Sequence, residues 1–218
     1  MIITFASQKG GVGKTTLAVA FANYLSLVEK KKVHVYDFDF QKSFYQKWIE
    51  DEDLDLPRIY DVTVISEERE GNIFEYQNFI DMQESEEIYL FDLAGTLDQK
   101  YIDLLIFSDF LIIPFEYSDV SARSTLVFCN LLAMIDSTAR RIFIRSKFDK
   151  GYNYKNQEML DAELENYGKI LENPVYKKNA LQSINTRQLT YDQKYGIINT
   201  VKELLAYMEK VNNNENEI

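Results

Sequence analysis

At 218 residues and 46% hydrophobic content, the chain suffices for one full-sized domain with a core and is too short for two. A single cysteine, Cys129, excludes an internal disulfide and a zinc site built on several thiolates, and a single histidine, His34, removes most other zinc chemistry. The net charge of −11 is concentrated in one insert-like region: residues 50–90 hold 14 acids against Arg58 and Arg69, which leaves 22 basic and 21 acidic residues elsewhere.

Ile2–Ala6 is a brief apolar run rich in β-branched residues, which predicts a buried strand. Val33–Phe38, Ile88–Leu93, Phe110–Phe115 and Ile142–Ile144 follow the same pattern, and amphipathic segments lie between them near 14–28, 41–50, 72–82, 99–107 and 119–136. Strand and helix in regular alternation predict an α/β fold, a three-layer and mostly parallel sheet with helices on both faces. The last third turns helical, at 153–168, 187–195 and 198–211, with Pro174–Tyr176 the one strand candidate beyond Ile144. Ile198, Val201, Leu204, Leu205, Met208 and Val211 form one stripe, which predicts core packing. The expected organisation is a single domain over 1–211 and a polar, frayed tail over 212–218. With neither a leader-like start nor an apolar window of membrane-spanning length, a cytoplasmic location is expected.

The chemistry begins at Ser7. The run SQKGGVGKTT follows an apolar strand and opens a helix, the context that a phosphate-binding loop requires. Gly10, Gly11 and Gly13 let backbone N–H groups turn inward around an oxyanion, and the positive end of the next helix adds its field. Lys14 is expected to reach the β- and γ-phosphates, and the Thr15 hydroxyl to bind Mg²⁺. The second strand ends VYDFDFQKS, so Asp37 and Asp39 share one face at the carboxyl end, where ligands sit in open α/β sheets. Asp37 could equally cap the helix that starts near Gln41. The third element, IYLFDLAGTLD, ends its apolar run in Asp92, a carboxylate placed to hold Mg²⁺, and the small Ala94 and Gly95 let the chain pass close to a γ-phosphate.

The string QKGGVGKTT, Gln8 to Thr16, departs from the ordinary phosphate loop: Gln8 stands where a glycine is usual, and Lys9 precedes the paired glycines. It resembles the deviant Walker A loop of the ParA/MinD ATPases. The resemblance continues through the two acidic segments and SDFLIIPFEYSDVSARST to NTRQLTYDQKYG, and is closest to the short ParA proteins of plasmids and other mobile elements. It implies a P-loop NTPase fold, with ATP and Mg²⁺ held by Lys9, Gly10, Gly11, Val12, Gly13, Lys14, Thr15 and Thr16. Thr15, Asp39 and Asp92 would serve the metal. Asp39 would orient the attacking water, and Lys9 would cross a dimer interface to the partner's nucleotide. Phe40 stands where the family has proline, and Ser146 stands where relatives carry a base-contacting residue, which leaves the adenine contacts open.

The function implied is an ATPase whose ATP-bound homodimer binds DNA without sequence preference and associates with the nucleoid. Hydrolysis, stimulated by a ParB-like adaptor, would reverse both states and partition a plasmid or related element. DNA contacts are expected from the basic stretch Arg140, Arg141, Lys147, Lys150 and Lys155, with Lys177, Lys178 and Arg187. Two other readings share the fold: a MinD-like or protein-cargo positioning ATPase, and a biosynthetic ATP-dependent ligase. The acidic, asparagine-rich end KELLAYMEKVNNNENEI disfavours membrane attachment. Cys129 and His34 are expected to pack, not to react.

Overall fold

The computed structural model describes residues 1–65, 74–95 and 99–215. In chain order the strands are β1 (Ile2–Phe5), β2 (Val33–Phe38), β3 (Asp61–Val64), β4 (Ile88–Leu93), β5 (Phe110–Phe115), β6 (Arg140–Arg145) and β7 (Lys169–Ile170). The helices are α1 (Lys14–Leu27), α2 (Ser43–Glu50), α3 (Tyr76–Glu84), α4 (Ile102–Phe107), α5 (Asp119–Met134), α6 (Gln157–Glu165), α7 (Asn179–Gln182) and α8 (Tyr191–Glu215). The seven strands form one sheet in the order β3-β2-β4-β1-β5-β6-β7, and every ladder is parallel.

Alternation along the strands sends side chains to two cores. Ile3, Phe5, Val33, Val35, Leu90 and Ile112 face α1, α2 and α8 on one side, while Ile2, Phe91, Leu93, Leu111 and Ile113 face α3 to α6 on the other. The expected three-layer architecture is present. The predicted stripe of the last helix packs as read: Val201, Leu204 and Met208 are buried against the first core, with Ile198, Leu205 and Val211 at its margin.

Several expectations need correction. The acidic stretch is not an insert, because it contributes the edge strand β3 and helix α3 to the sheet and its cover. Strands follow Ile144 at β7, whereas Tyr176 makes only an isolated bridge to Phe148. The segments 187–195 and 198–211 are not two helices, since α8 begins at Tyr191 and runs unbroken through Gly196 to Glu215. The start of the 72–82 helix and the Thr96–Asp98 part of the third motif lie outside the described residues.

Candidate functional site: a phosphate loop at the sheet's carboxyl end

The loop between β1 and α1 lies where the strand order reverses, since β1 is flanked by β4 on one side and β5 on the other. Gly11 and Gly13 are left-handed, with φ of 79° and 88°, which glycine adopts without strain. Gly13 also caps α1, and neither a side-chain cap nor a first-turn acid occupies that end. The first-turn N–H groups therefore receive no side-chain cap, a geometry suited to an anion. Across the loop, a Cβ on Gly95 would lie 3.3 Å from the Gly10 nitrogen, so the segment after β4 approaches as closely as a glycine allows.

Period-two geometry explains where the acids go. Asp92 continues the row of Ile88 and Leu90, which faces α1, and so its carboxylate lies 3.8 Å from the Lys14 Nζ. Asp37 continues the row of Val33 and Val35 toward α2 and pairs in register with Asp92 on the neighbouring strand. Its Oδ2 accepts the Tyr45 N–H at 2.9 Å in the first turn of α2, and its Oδ1 accepts the Asp39 N–H at 2.9 Å. Asp37 thus has the capping role that its spacing allowed. Asp39 lies just beyond the strand, with Oδ1 held by the Gln41 N–H at 3.0 Å.

Lys9, Gly10, Gly11, Gly13, Lys14, Thr15, Thr16 and Asp39 line a single cavity of about 640 Å³. The structure brings together all these sequence-predicted residues, while Val12 is buried behind the loop and Asp92 lies behind Lys14. Asp92 is fully buried, and neither carboxylate oxygen has a hydrogen-bond partner. Burial raises its pKa to about 6, with the Lys14 charge and the nearby Thr15 hydroxyl opposing the shift and the charges of Asp37 and Asp39 adding to it. An orphaned carboxylate beside a phosphate loop and a threonine hydroxyl is a donor set that suits Mg²⁺.

The predicted basic residues separate. Arg187 is buried, at 3% exposure, with NH2 donating to the Trp48 carbonyl at 2.9 Å and Nε to that of Asp51 at 3.3 Å. Its guanidinium is not available to DNA. Arg140 and Arg141 begin β6 and lie at the amino end of the sheet, away from the loop, and Arg141 donates to the Ser137 carbonyl. Lys147 turns back onto the phosphate loop, where it donates to the Gly11 carbonyl and pairs with Glu116 at 3.2 Å. Lys150 and Lys155 remain exposed, and Lys177 and Lys178 border a second cavity of about 240 Å³ that shares Gly13 and Thr16 with the loop. Ser146, at this cavity, is buried and donates to the Val12 carbonyl at 2.7 Å.

Two contacts escaped the sequence reading. The Tyr101 hydroxyl donates to the Phe38 carbonyl at 2.9 Å, and the Lys100 ammonium lies 4.2 Å from the centre of the exposed Phe40 ring. Both tie the segment after β4 to the strand end that carries Asp39, and no local pattern signals them. Cys129 is buried and its thiol is pushed up to about 12, as a packing cysteine should be. His34 stacks on Tyr89 with ring centres 5.1 Å apart.

Residues 3–217 match the CobQ/CobB/MinD/ParA nucleotide-binding domain family. The chain belongs to this family. No curated protein sequence matches it. Among solved structures, a protein described as a plasmid partition protein of Borrelia burgdorferi B31, bound to AMPPNP, superposes with a TM-score of 0.73 at 21% identity, covering 96% of this chain and 98% of that one. The pNOB8 ParA bound to nonspecific DNA gives 0.66 at 18% identity, with 96% and 98% covered. MinD in the MinC:MinD complex of Aquifex aeolicus gives 0.63 at 14% identity, with 94% and 96% covered. At these identities the likeness is one of fold. The ParA/MinD fold thus supplies the nucleotide site, and among the described residues no helix is long and apolar enough to cross a membrane.

Proposed function

We propose that this chain is a ParA-type ATPase, a switch whose ATP-bound homodimer binds DNA without sequence preference and is undone by hydrolysis. The observation that carries the reading is the convergence of Lys9, Lys14, Thr15 and Asp39 on one cavity, with the fully buried Asp92 behind Lys14. The partition role itself is supported by the structural likeness to plasmid partition proteins, one with a nucleotide analogue and one with nonspecific DNA.

Lys14 and the amides at the start of α1 would hold the β- and γ-phosphates, and Thr15 and Asp92 would hold the Mg²⁺, which would supply charge neutralisation at the phosphoryl group. Asp39 orients the attacking water by accepting one of its protons in a hydrogen bond. Ser43 and Lys47 border the same cavity. Catalysis on this account is positioning and electrostatics, without a covalent step. Lys9, at the mouth of the cavity, reaches the nucleotide of the partner in the dimer, and a ParB-like adaptor acts on that dimer. The neighbouring 240 Å³ cavity accepts the nucleoside.

DNA binding falls to Lys150 and Lys155, with Lys177 and Lys178 nearby, brought side by side with their copies in the dimer. Lys150 and Lys178 lie over the rings of Tyr176 and Tyr195, at 4.7 and 4.6 Å, which fixes their ammonium groups at the surface. The test is DNA binding measured with ATP, with ADP and without nucleotide over a salt series. Binding should appear only with ATP and fall steeply with salt. Binding that ignores the nucleotide would defeat the switch, and an ATP-loaded protein that ignores DNA at low salt would move the cargo to proteins or membrane.

A further inference from the structure

The end of β6 does something that the nucleotide site, as described so far, does not require. Two successive residues there, Ser146 and Lys147, reach back 134 and 136 positions to two successive carbonyls of the phosphate loop. Ser146 Oγ donates to the Val12 oxygen at 2.7 Å, and Lys147 Nζ donates to the Gly11 oxygen. We propose that Lys147, with Ser146, is a positioning residue that holds the phosphate loop in its anion-binding shape before nucleotide arrives.

In a trans peptide the carbonyl and the N–H of the next residue lie on opposite edges of one plane. Tying down the Gly11 oxygen therefore aims the Val12 N–H the other way, and tying down the Val12 oxygen does the same for the Gly13 N–H. A cradle of amides works only if successive N–H groups converge, and the two left-handed glycines that permit this also leave the loop free to take other shapes. The two donors restrict that freedom in the absence of a ligand.

Four further features fit a positioning role. Lys147 is itself left-handed, with φ of 52°, a conformation unfavourable for lysine that is kept where surroundings impose it. Its ammonium is balanced by Glu116 at 3.2 Å, so it meets the carbonyl as one of a pair and not as a free charge seeking phosphate. A Cβ on Gly13 would lie 3.2 Å from the Ser146 Oγ and 3.9 Å from the Lys147 Cε, so the glycine that frees the loop also lets the clamp approach. Lys147 lines both the phosphate cavity and its neighbour.

The inference rests on the nucleotide site proposed above, and its test separates the two. Titration of labelled ATP and ADP against the wild type, Lys147→Met, Lys147→Arg and Lys14→Ala is combined with melting of each nucleotide-free protein. Lys147→Met keeps the aliphatic stem and should weaken ATP and ADP alike, by about ten-fold or more, because the amides serve phosphates common to both. Its melting temperature should stay at the wild-type value, since Lys147 is half exposed and water can reach the released Gly11 carbonyl. Lys147→Arg should recover most of the affinity. The clamp is overturned if Lys147→Met binds both nucleotides within two-fold of wild type. It is equally overturned if affinity is lost only together with melting temperature, which would make Lys147 a plain structural residue. If the wild type binds no ATP, or binds it as well after Lys14→Ala, the nucleotide site itself is wrong and the clamp falls with it.

Discussion

Replacing Asp92 with asparagine should stabilise the nucleotide-free protein while weakening its hold on Mg²⁺ and ATP. The carboxylate is fully buried without a hydrogen-bond partner, and its pKa rises from the ordinary 3.8 to about 6. At about 1.4 kcal/mol per unit, keeping it ionised near neutral pH costs the fold ~3 kcal/mol. Between 3.8 and about 6 the native state binds the proton more tightly than the unfolded chain does, so stability falls as pH rises through that window and is level above it. Asparagine keeps the shape and removes the charge. Lys14, 3.8 Å away, loses its counter-charge, but that attraction is already contained in the pKa of about 6, so the net stabilisation is at most ~3 kcal/mol. Urea unfolding of the two nucleotide-free proteins measures this directly. Near neutral pH the variant should be the more stable, and at about pH 5 the advantage should shrink to roughly half. With Mg²⁺ and ATP present the order should reverse, because the wild type gains more from ligand. A variant no more stable than wild type near neutral pH would refute the claim that Asp92 is a carboxylate held in reserve for a cation.

Other variants divide the site into its functions. Lys14→Ala should abolish ATP binding in a labelled-nucleotide titration, because it removes the main positive side chain at the phosphates. Asp39→Ala should still bind ATP, yet its steady-state phosphate release should fall by a factor on the order of a hundred or more. Arg187→Met should lower unfolding free energy by about 1–3 kcal/mol through its lost bonds to the Trp48 and Asp51 carbonyls, while ATP-dependent DNA affinity, measured well below the melting temperature, stays unchanged.

What the sequence made legible follows from the range of the forces involved. The five predicted strands announce themselves as apolar runs because both faces are covered, and period two alone places Asp37 and Asp92 on the side of the helices they meet. β3 was hidden because it is an edge strand of four residues, alternately exposed and buried, within an acidic stretch. β7, two residues long, is shorter than any pattern. The basic residues misled for a different reason. Charge is visible in a sequence, but burial is not, and Arg187 is sequestered by carbonyls 136 and 139 positions away. Lys147 looked like one more surface cation beside Lys150, and only the fold, by bringing the residues that follow β6 to the loop after β1, shows that it reaches the Gly11 carbonyl. The place of the glycine-rich loop between β1 and α1 was readable because its pattern is local: strand, glycines, lysine, hydroxyl and helix start all fall between Ile2 and Thr15.

Mass in solution bears most directly on the switch. Light scattering of the wild type and of Lys9→Ala, each without nucleotide, with ADP·Mg²⁺ and with ATP·Mg²⁺, asks whether the nucleotide joins two subunits through the early lysine. The account predicts a monomer of 25.6 kDa in every sample except wild type with ATP, whose mass should double, with Asp39→Ala holding that dimer longer. A wild type whose mass is the same in all three conditions, or a Lys9→Ala protein that dimerises with ATP as readily as wild type, would contradict it.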